Sequence, residues 1–103
     1  MSKLVREMIE EECVMINDML QEKNQAYGNS ALDPVRIFSK AHPSEQIRVR
    51  IDDKLSRLAR GHGLDNESLD DTISDLIGYL ILYRVARRLE IIHSETTDNG
   101  EKP

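Results

Sequence analysis

The residues best suited to bind a ligand begin with one polar segment, KNQAYGNS at 23–30. It combines an aromatic ring, a glycine, amides, a hydroxyl and an ammonium group. An aromatic ring can stack on a base, and a glycine allows a ligand to approach the backbone closely. The alternative is an ordinary turn whose tyrosine packs against a neighbouring helix. The predicted ligand contacts here are Lys23, Asn24, Tyr27, Gly28, Asn29 and Ser30.

A second set of residues is basic and crowds the segment at 45–60. Its members are Arg48, Arg50, Lys54 and Arg57. The planar fork of arginine grips phosphate oxygens in a bidentate way, and lysine adds a point charge. We interpret Arg50, Lys54 and Arg57 as a phosphate clamp. The alternative is a solvated helix face with internal pairs, such as Asp53 with Arg57 at i, i+4.

Three carboxylates form the third set: Asp53, Asp71 and Asp75. Asp71 and Asp75 lie one helical turn apart, and an antiparallel hairpin would bring Asp53 alongside them. Converging carboxylates are ligands that Mg²⁺ accepts while keeping several waters. The sequence therefore predicts a metal site. The alternative gives Asp71 a role at a helix N-terminus and pairs Asp53 with an arginine.

The histidines and the cysteine predict no further chemistry. The spacing of His42, His62 and His93 does not match a metal motif. Cys13 falls on an apolar helix stripe, so we expect a buried small hydrophobic residue and not a nucleophile.

Composition limits the class of protein. The chain has 103 residues, of which 39% are hydrophobic and 32% charged, which suits one globular domain. Its net charge of −5 argues against broad nucleic-acid binding, which needs a basic surface. A single cysteine fits a reducing cytoplasm, and no apolar run is long enough to span a bilayer. We therefore expect no membrane partner.

The elements that must position these residues are predicted to be helices. Apolar residues recur at steps of three and four over about 3–23, 45–60 and 69–93, which predicts an all-α fold. A short helix is predicted at 34–40, after Asp33. Ser44 and Ser68 are the predicted N-caps of the second and third long helices, and Gly61 is the predicted left-handed terminator of the second. We expect one domain at 1–93 and a disordered polar tail at 94–103.

The third long helix carries a segment at 76–86 that is apolar on nearly every side. Such a helix must be covered all round, and three helices in a small chain cannot easily do so. We therefore predict a homodimer or larger assembly with this segment in the interface. Arg84, Arg87 and Arg88 could then reach a neighbour's pocket, although they could also complement the negative end of their own helix.

The blocks KNQAYGNSA, RIDDKLSRL and DDTISDLIGYLIL resemble the nucleotide-modification-associated domain type 1 family, over about residues 20–86. Its members are small all-helical proteins of phages and prophages. The resemblance implies a role in phage nucleotide metabolism. It also implies one site that joins Lys23, Asn24, Tyr27, Gly28 and Asn29, the polar corner, with Asp53, Lys54, Arg57, Asp71 and Asp75.

A second likeness is to the MazG-type all-α pyrophosphatases, which bind Mg²⁺ through an E-E-x-x-E helix and a later E-x-x-D pair. After Glu11 and Glu12, the third acidic position here holds Met15. The later pair, Asp71 and Asp75, is spaced by four residues where that family has three.

From these likenesses we expect a nucleotide-binding protein acting in the cytoplasm of an infected bacterium. It would sequester a phosphorylated nucleotide, such as a cyclic nucleotide or an ADP-ribose-type immune signal, as an anti-defence sponge. The alternative is a MazG-like pyrophosphohydrolase, and Mg²⁺ is the expected cofactor only in that case. A helical interaction protein without a small ligand is a third hypothesis.

Overall fold

The computed structural model describes residues 2–27, 32, 39–61 and 66–100, and the described chain is almost entirely helical. The helices are α1 (Ser2–Tyr27), α2 (Pro43–Arg60) and α3 (Asn66–Gly100), and no strand occurs among the described residues. The all-α prediction is therefore confirmed. Most of the predicted short helix, residues 34–38, lies outside the described residues.

The two ends of α2 are set by different devices. Pro43 occupies the first turn, where its fixed φ suits a helix start, and the N-cap is His42 without a side-chain cap. The prediction that Ser44 caps this helix is therefore wrong. At the other end, Gly61 adopts φ 63° and ψ −7°, and its N–H donates to the Arg57 carbonyl at 3.2 Å. The predicted left-handed terminator is confirmed.

Helix α3 extends beyond its predicted bounds at both ends. It begins at Asn66, so Ser68 lies inside the helix and is not its N-cap; the Ser68 carbonyl accepts a hydrogen bond from the Thr72 hydroxyl at 2.9 Å. It continues to Gly100, past the predicted end near His93. Once a helix is nucleated each added residue gains a backbone hydrogen bond, so a polar sequence can prolong it.

Helices α2 and α3 form an antiparallel hairpin. Near the start of α2, Ser44 contacts Glu90, and near its end Lys54 contacts Asp75. The hydroxyl of Ser44 donates to the Glu90 carboxylate at 2.8 Å, and its backbone N–H donates to the same group at 3.3 Å. A carboxylate at a helix N-terminus is favoured by the helix dipole, so Glu90 supplies the cap that α2 lacks. Ile47 is 1% exposed and anchors the hairpin.

Helix α1 packs on α3 through its second half only. Ile16 is buried, and a Cβ added to Gly78 would lie 3.1 Å from Leu20 Cδ2 and 3.2 Å from Met19 Cε. The absence of a side chain at Gly78 therefore lets the two helices approach closely. The first half of α1 extends away from this contact, and Cys13, predicted to be buried, is exposed.

The chain exposes more surface than a compact monomer of its size. Its radius of gyration is 17.1 Å, against about 13 Å for a compact domain of this length. Its accessible area is 8640 Å², against about 5,900 Å² for a monomer of this mass. Many exposed large apolar side chains lie on α1 and α3. None of the described helices is long and apolar enough to cross a membrane.

Candidate functional site

The three helices meet at the carboxylate of Asp75. Its Oδ1 lies 3.7 Å from Nζ of Lys23 on α1, and its Oδ2 lies 3.2 Å from Nζ of Lys54 on α2. The Lys54 side chain is only 15% exposed, whereas that of Lys23 is 57% exposed. One carboxylate of α3 therefore ties both neighbouring helices to it.

The predicted phosphate clamp lies along one face of α2. Arg50, Lys54 and Arg57 are spaced i, i+4 and i+7, so they follow one stripe of the helix, about 10 Å long. The Arg50 guanidinium carbon lies 6.0 Å from the centroid of the Tyr79 ring, one turn along α3 from Asp75. This is the outer limit for a cation–π contact.

The polar corner predicted at 23–30 is partly described. Lys23 joins the junction through Asp75, and Asn24 is exposed on the same turn of α1. Tyr27 is the last residue of α1, one turn after Lys23. Gly28, Asn29 and Ser30 lie outside the described residues. The structure thus brings the start of the corner to the charged flanks of α2 and α3.

The three predicted metal ligands have separate surroundings. Asp53 Oδ2 lies 3.4 Å from Nε of Arg57, as the intrahelical alternative predicted, and Asp75 contacts two lysines. Asp71 is exposed on α3. Across residues 2–27, 32, 39–61 and 66–100, no group of three or more His, Cys, Asp or Glu side chains is placed to hold a metal ion. A Mg²⁺ site remains a prediction tied to the hydrolytic alternative.

The predicted site residues carry a small excess of positive charge. The predicted site residues on the described helices include four cations and three carboxylates in a chain whose net charge is −5. The cations are Lys23, Arg50, Lys54 and Arg57, and the carboxylates are Asp53, Asp71 and Asp75. The predicted site residues therefore carry one more positive than negative charge, which is compatible with a small anionic ligand.

Sequence reasoning missed a second contact on the other flank of the hairpin. Arg48 donates from Nε and Nη2 to the Tyr83 hydroxyl at 2.9 and 2.6 Å, and its Nη1 lies 3.3 Å from a Glu45 carboxylate oxygen. The hydrogen bonds to Tyr83, followed by the charge of Glu45, raise the pKa of Arg48 above its ordinary value. The pairing of Arg48 with Tyr83 depends on the antiparallel register that Lys54 and Asp75 set, and helical spacing alone does not reveal that register.

Comparison of the chain with protein-family models, curated proteins and solved structures finds no match to any of them. The resemblances to the nucleotide-modification-associated and MazG-type families therefore stay predictions, carried by the sequence blocks alone.

Proposed function

We propose that this chain binds and sequesters a phosphorylated nucleotide at the junction of its three helices. The observation that carries the proposal is the double contact of Asp75 with Lys23 and Lys54, because it joins the polar corner of α1 to the cationic stripe of α2. The class of ligand follows from the residue types: cations for phosphate and an aromatic with amides for a base.

A phosphate group can compete with Asp75 for the two lysines. The Asp75 side chain is 32% exposed and that of Lys23 is 57% exposed, so the ion pairs can be reached from solvent. Among the residues that the structure describes, Arg57 pairs only with Asp53 on its own helix, and the two side chains are 59% and 58% exposed. The pairs of Lys23 with Asp75 and of Arg57 with Asp53 are exposed and contribute little to stability, so at these two cations an incoming phosphate exchanges a weak partner for a stronger one.

We favour sequestration over hydrolysis because of the partners of the carboxylates. Asp75 is engaged by two ammonium groups and Asp53 by a guanidinium, whereas a metal site would set carboxylates around one shared cation. On this proposal the chain is a cytoplasmic phage protein, the setting that the family resemblance implies, and it withholds a nucleotide signal from host defence. Self-association belongs to the same proposal, since the apolar surface of α3 is uncovered in the single chain.

A release experiment separates the two activities. The protein is incubated with Mg²⁺ and a panel of linear and cyclic nucleotides and ADP-ribose derivatives and passed through a desalting column. The free small molecules are analysed together with the supernatant of the heat-denatured protein. Intact ligand in the supernatant supports sequestration. Monophosphate with pyrophosphate supports the pyrophosphohydrolase instead, and no bound member of the panel would refute the nucleotide proposal.

Arg57→Ala tests the clamp, and Arg60→Ala is its matched control. Both arginines are exposed and lie one turn apart on α2, but only Arg57 follows the stripe of Lys54. Loss of a charge-assisted contact of about 1–3 kcal/mol raises the Kd of Arg57→Ala roughly 5- to 150-fold, as measured by isothermal titration calorimetry. The control should bind like the wild type, and equal effects of both substitutions would contradict the assignment.

A further inference from the structure

One side of α3 faces neither α1 nor α2 and carries a strip of exposed apolar residues. Its members are Leu69, Ile73, Ile77, Leu80 and Ile81, which recur at steps of three and four and are 37% to 46% exposed. We refer to these five residues as the outer face of α3. Neither neighbouring helix covers it: α2 contacts α3 through Asp75, Tyr83 and Glu90, and α1 approaches at Gly78.

We propose that two copies of this chain pair antiparallel through the outer face of α3, around a two-fold axis at the level of Tyr79. This inference deepens the self-association proposed above and does not depend on the nucleotide. In this register Ile77 of one copy lies opposite Ile81 of the other. The apolar strip of each α3 then covers the strip of its partner.

The chain as a whole exposes enough surface for self-association to reduce it substantially. The chain exposes 8640 Å², roughly 2,700 Å² more than a compact monomer of its mass. A standard stable interface removes about 800 Å² from each partner. One contact of that size would remove about a third of the excess.

The charges on the same side of α3 select the second copy and its direction. Asp70 precedes the centre of the strip, Arg84 and Arg88 follow it, and all three are exposed. None of the three forms an ion pair with any other residue that the structure describes. In the antiparallel register Asp70 lies at the level of Arg88 of the second copy. Ser74, whose hydroxyl can accept a hydrogen bond, lies at the level of its Arg84. Two-fold symmetry repeats both pairings.

A parallel arrangement is disfavoured by the same charges. In a parallel pair each residue lies opposite the same residue of the second copy. Asp70 would then face Asp70, and Arg84 and Arg88 would each face an arginine, so like charges would repel. The apolar first half of α1 is a weaker candidate for a self-contact. It carries four acidic residues, Glu7, Glu10, Glu11 and Glu12, against two basic ones, Lys3 and Arg6, so its net negative charge would oppose that of a second copy.

Charge reversal tests both the partner and the direction. The variants are Asp70→Arg, Arg88→Asp and the double variant that carries both changes. Sedimentation velocity over a concentration series in low salt gives the dimer Kd. Each single variant places like charges opposite one another at two positions, so its dimer Kd should rise roughly tenfold or more. The double variant restores opposite charges and should dimerise like the wild type. Arg60→Asp, on α2, is the control for a change of net charge.

Ile77→Asp tests the apolar contact of the outer face, and circular dichroism at 222 nm checks that this variant remains helical. If folded, it should be monomeric at concentrations where the wild type is a dimer. A monomeric wild type would overturn the inference, as would three charge variants with the same dimer Kd. Dimerisation lost on Val5→Asp but kept on Ile77→Asp would assign the contact to α1 and overturn it too. A monomer that still binds a nucleotide would leave the proposed function intact.

Discussion

Replacing Asp75 by asparagine removes the charge that contacts both neighbouring helices while keeping the size of the side chain. In Asp75→Asn the ammonium of Lys54 loses a partner at 3.2 Å although its side chain is only 15% exposed. A partly buried charge left without its charged hydrogen-bond partner costs about 1–3 kcal/mol. The pair with Lys23 is more exposed and longer, at 3.7 Å, so it adds at most about 1 kcal/mol.

We expect Asp75→Asn to lower the free energy of unfolding by about 2 kcal/mol. In a domain of this size that corresponds to a fall in Tm of about 8–16 °C. Urea titration followed by circular dichroism gives the free energy, and a thermal scan gives the Tm. Asp53→Asn is the matched control, because its pair with Arg57 is 58% and 59% exposed and should contribute less than about 1 kcal/mol.

Two results would refute this reasoning. One is an equal loss of stability in Asp75→Asn and Asp53→Asn, which would mean that the junction is no stronger than a surface pair. The other is phosphate binding by folded Asp75→Asn that is no tighter than that of the wild type. On the sequestration proposal Asp75→Asn frees two lysines and should tighten phosphate binding in the folded protein. A pyrophosphohydrolase would instead lose turnover with the same change, since Asp75 would then be a metal ligand.

Two further predictions concern the helix contacts. Gly78→Val places a branched side chain where even a Cβ lies 3.1 Å from Leu20, and should lower the free energy of unfolding by about 2 kcal/mol in urea titration. Gly78→Ala should stay within about 1 kcal/mol of the wild type, since alanine favours the helix and the neighbouring side chain can shift. Ser44→Ala removes the hydroxyl that donates to Glu90 at 2.8 Å and should cost about 1 kcal/mol. An unchanged midpoint for Gly78→Val or for Ser44→Ala would contradict the corresponding contact.

The helices themselves were predictable from the sequence because apolar periodicity and local backbone preferences act over short distances. Gly61 is an example: a glycine after an amphipathic run is the usual left-handed terminator, and the structure confirms it. The N-cap of α2 was not predictable in the same way. The group that serves it is Glu90, 46 residues away along the chain. A local cap motif cannot reveal a partner supplied by another helix.

The candidate site shows the same division between local and long-range information. The stripe of Arg50, Lys54 and Arg57 followed from helical spacing within α2. The role of Asp75 did not, because helical spacing groups it with Asp71 as a metal ligand, whereas folding places two lysines from other helices beside it. Burial was also misjudged at Cys13, since the stripe that carries it extends past the part of α3 that α1 contacts.

Helices α1 and α2 are attached to α3 to different extents, and this difference affects local opening of the folded protein. Helix α2 is fastened to α3 along its length, from Ser44 to Lys54, whereas α1 is held by its second half alone. Undocking of α1 therefore requires less free energy than global unfolding, and its amides should exchange with deuterium ahead of those in the hairpin. Lys23 leaves with α1, so an anion that bridges it to Lys54 would slow that exchange by closing the open form.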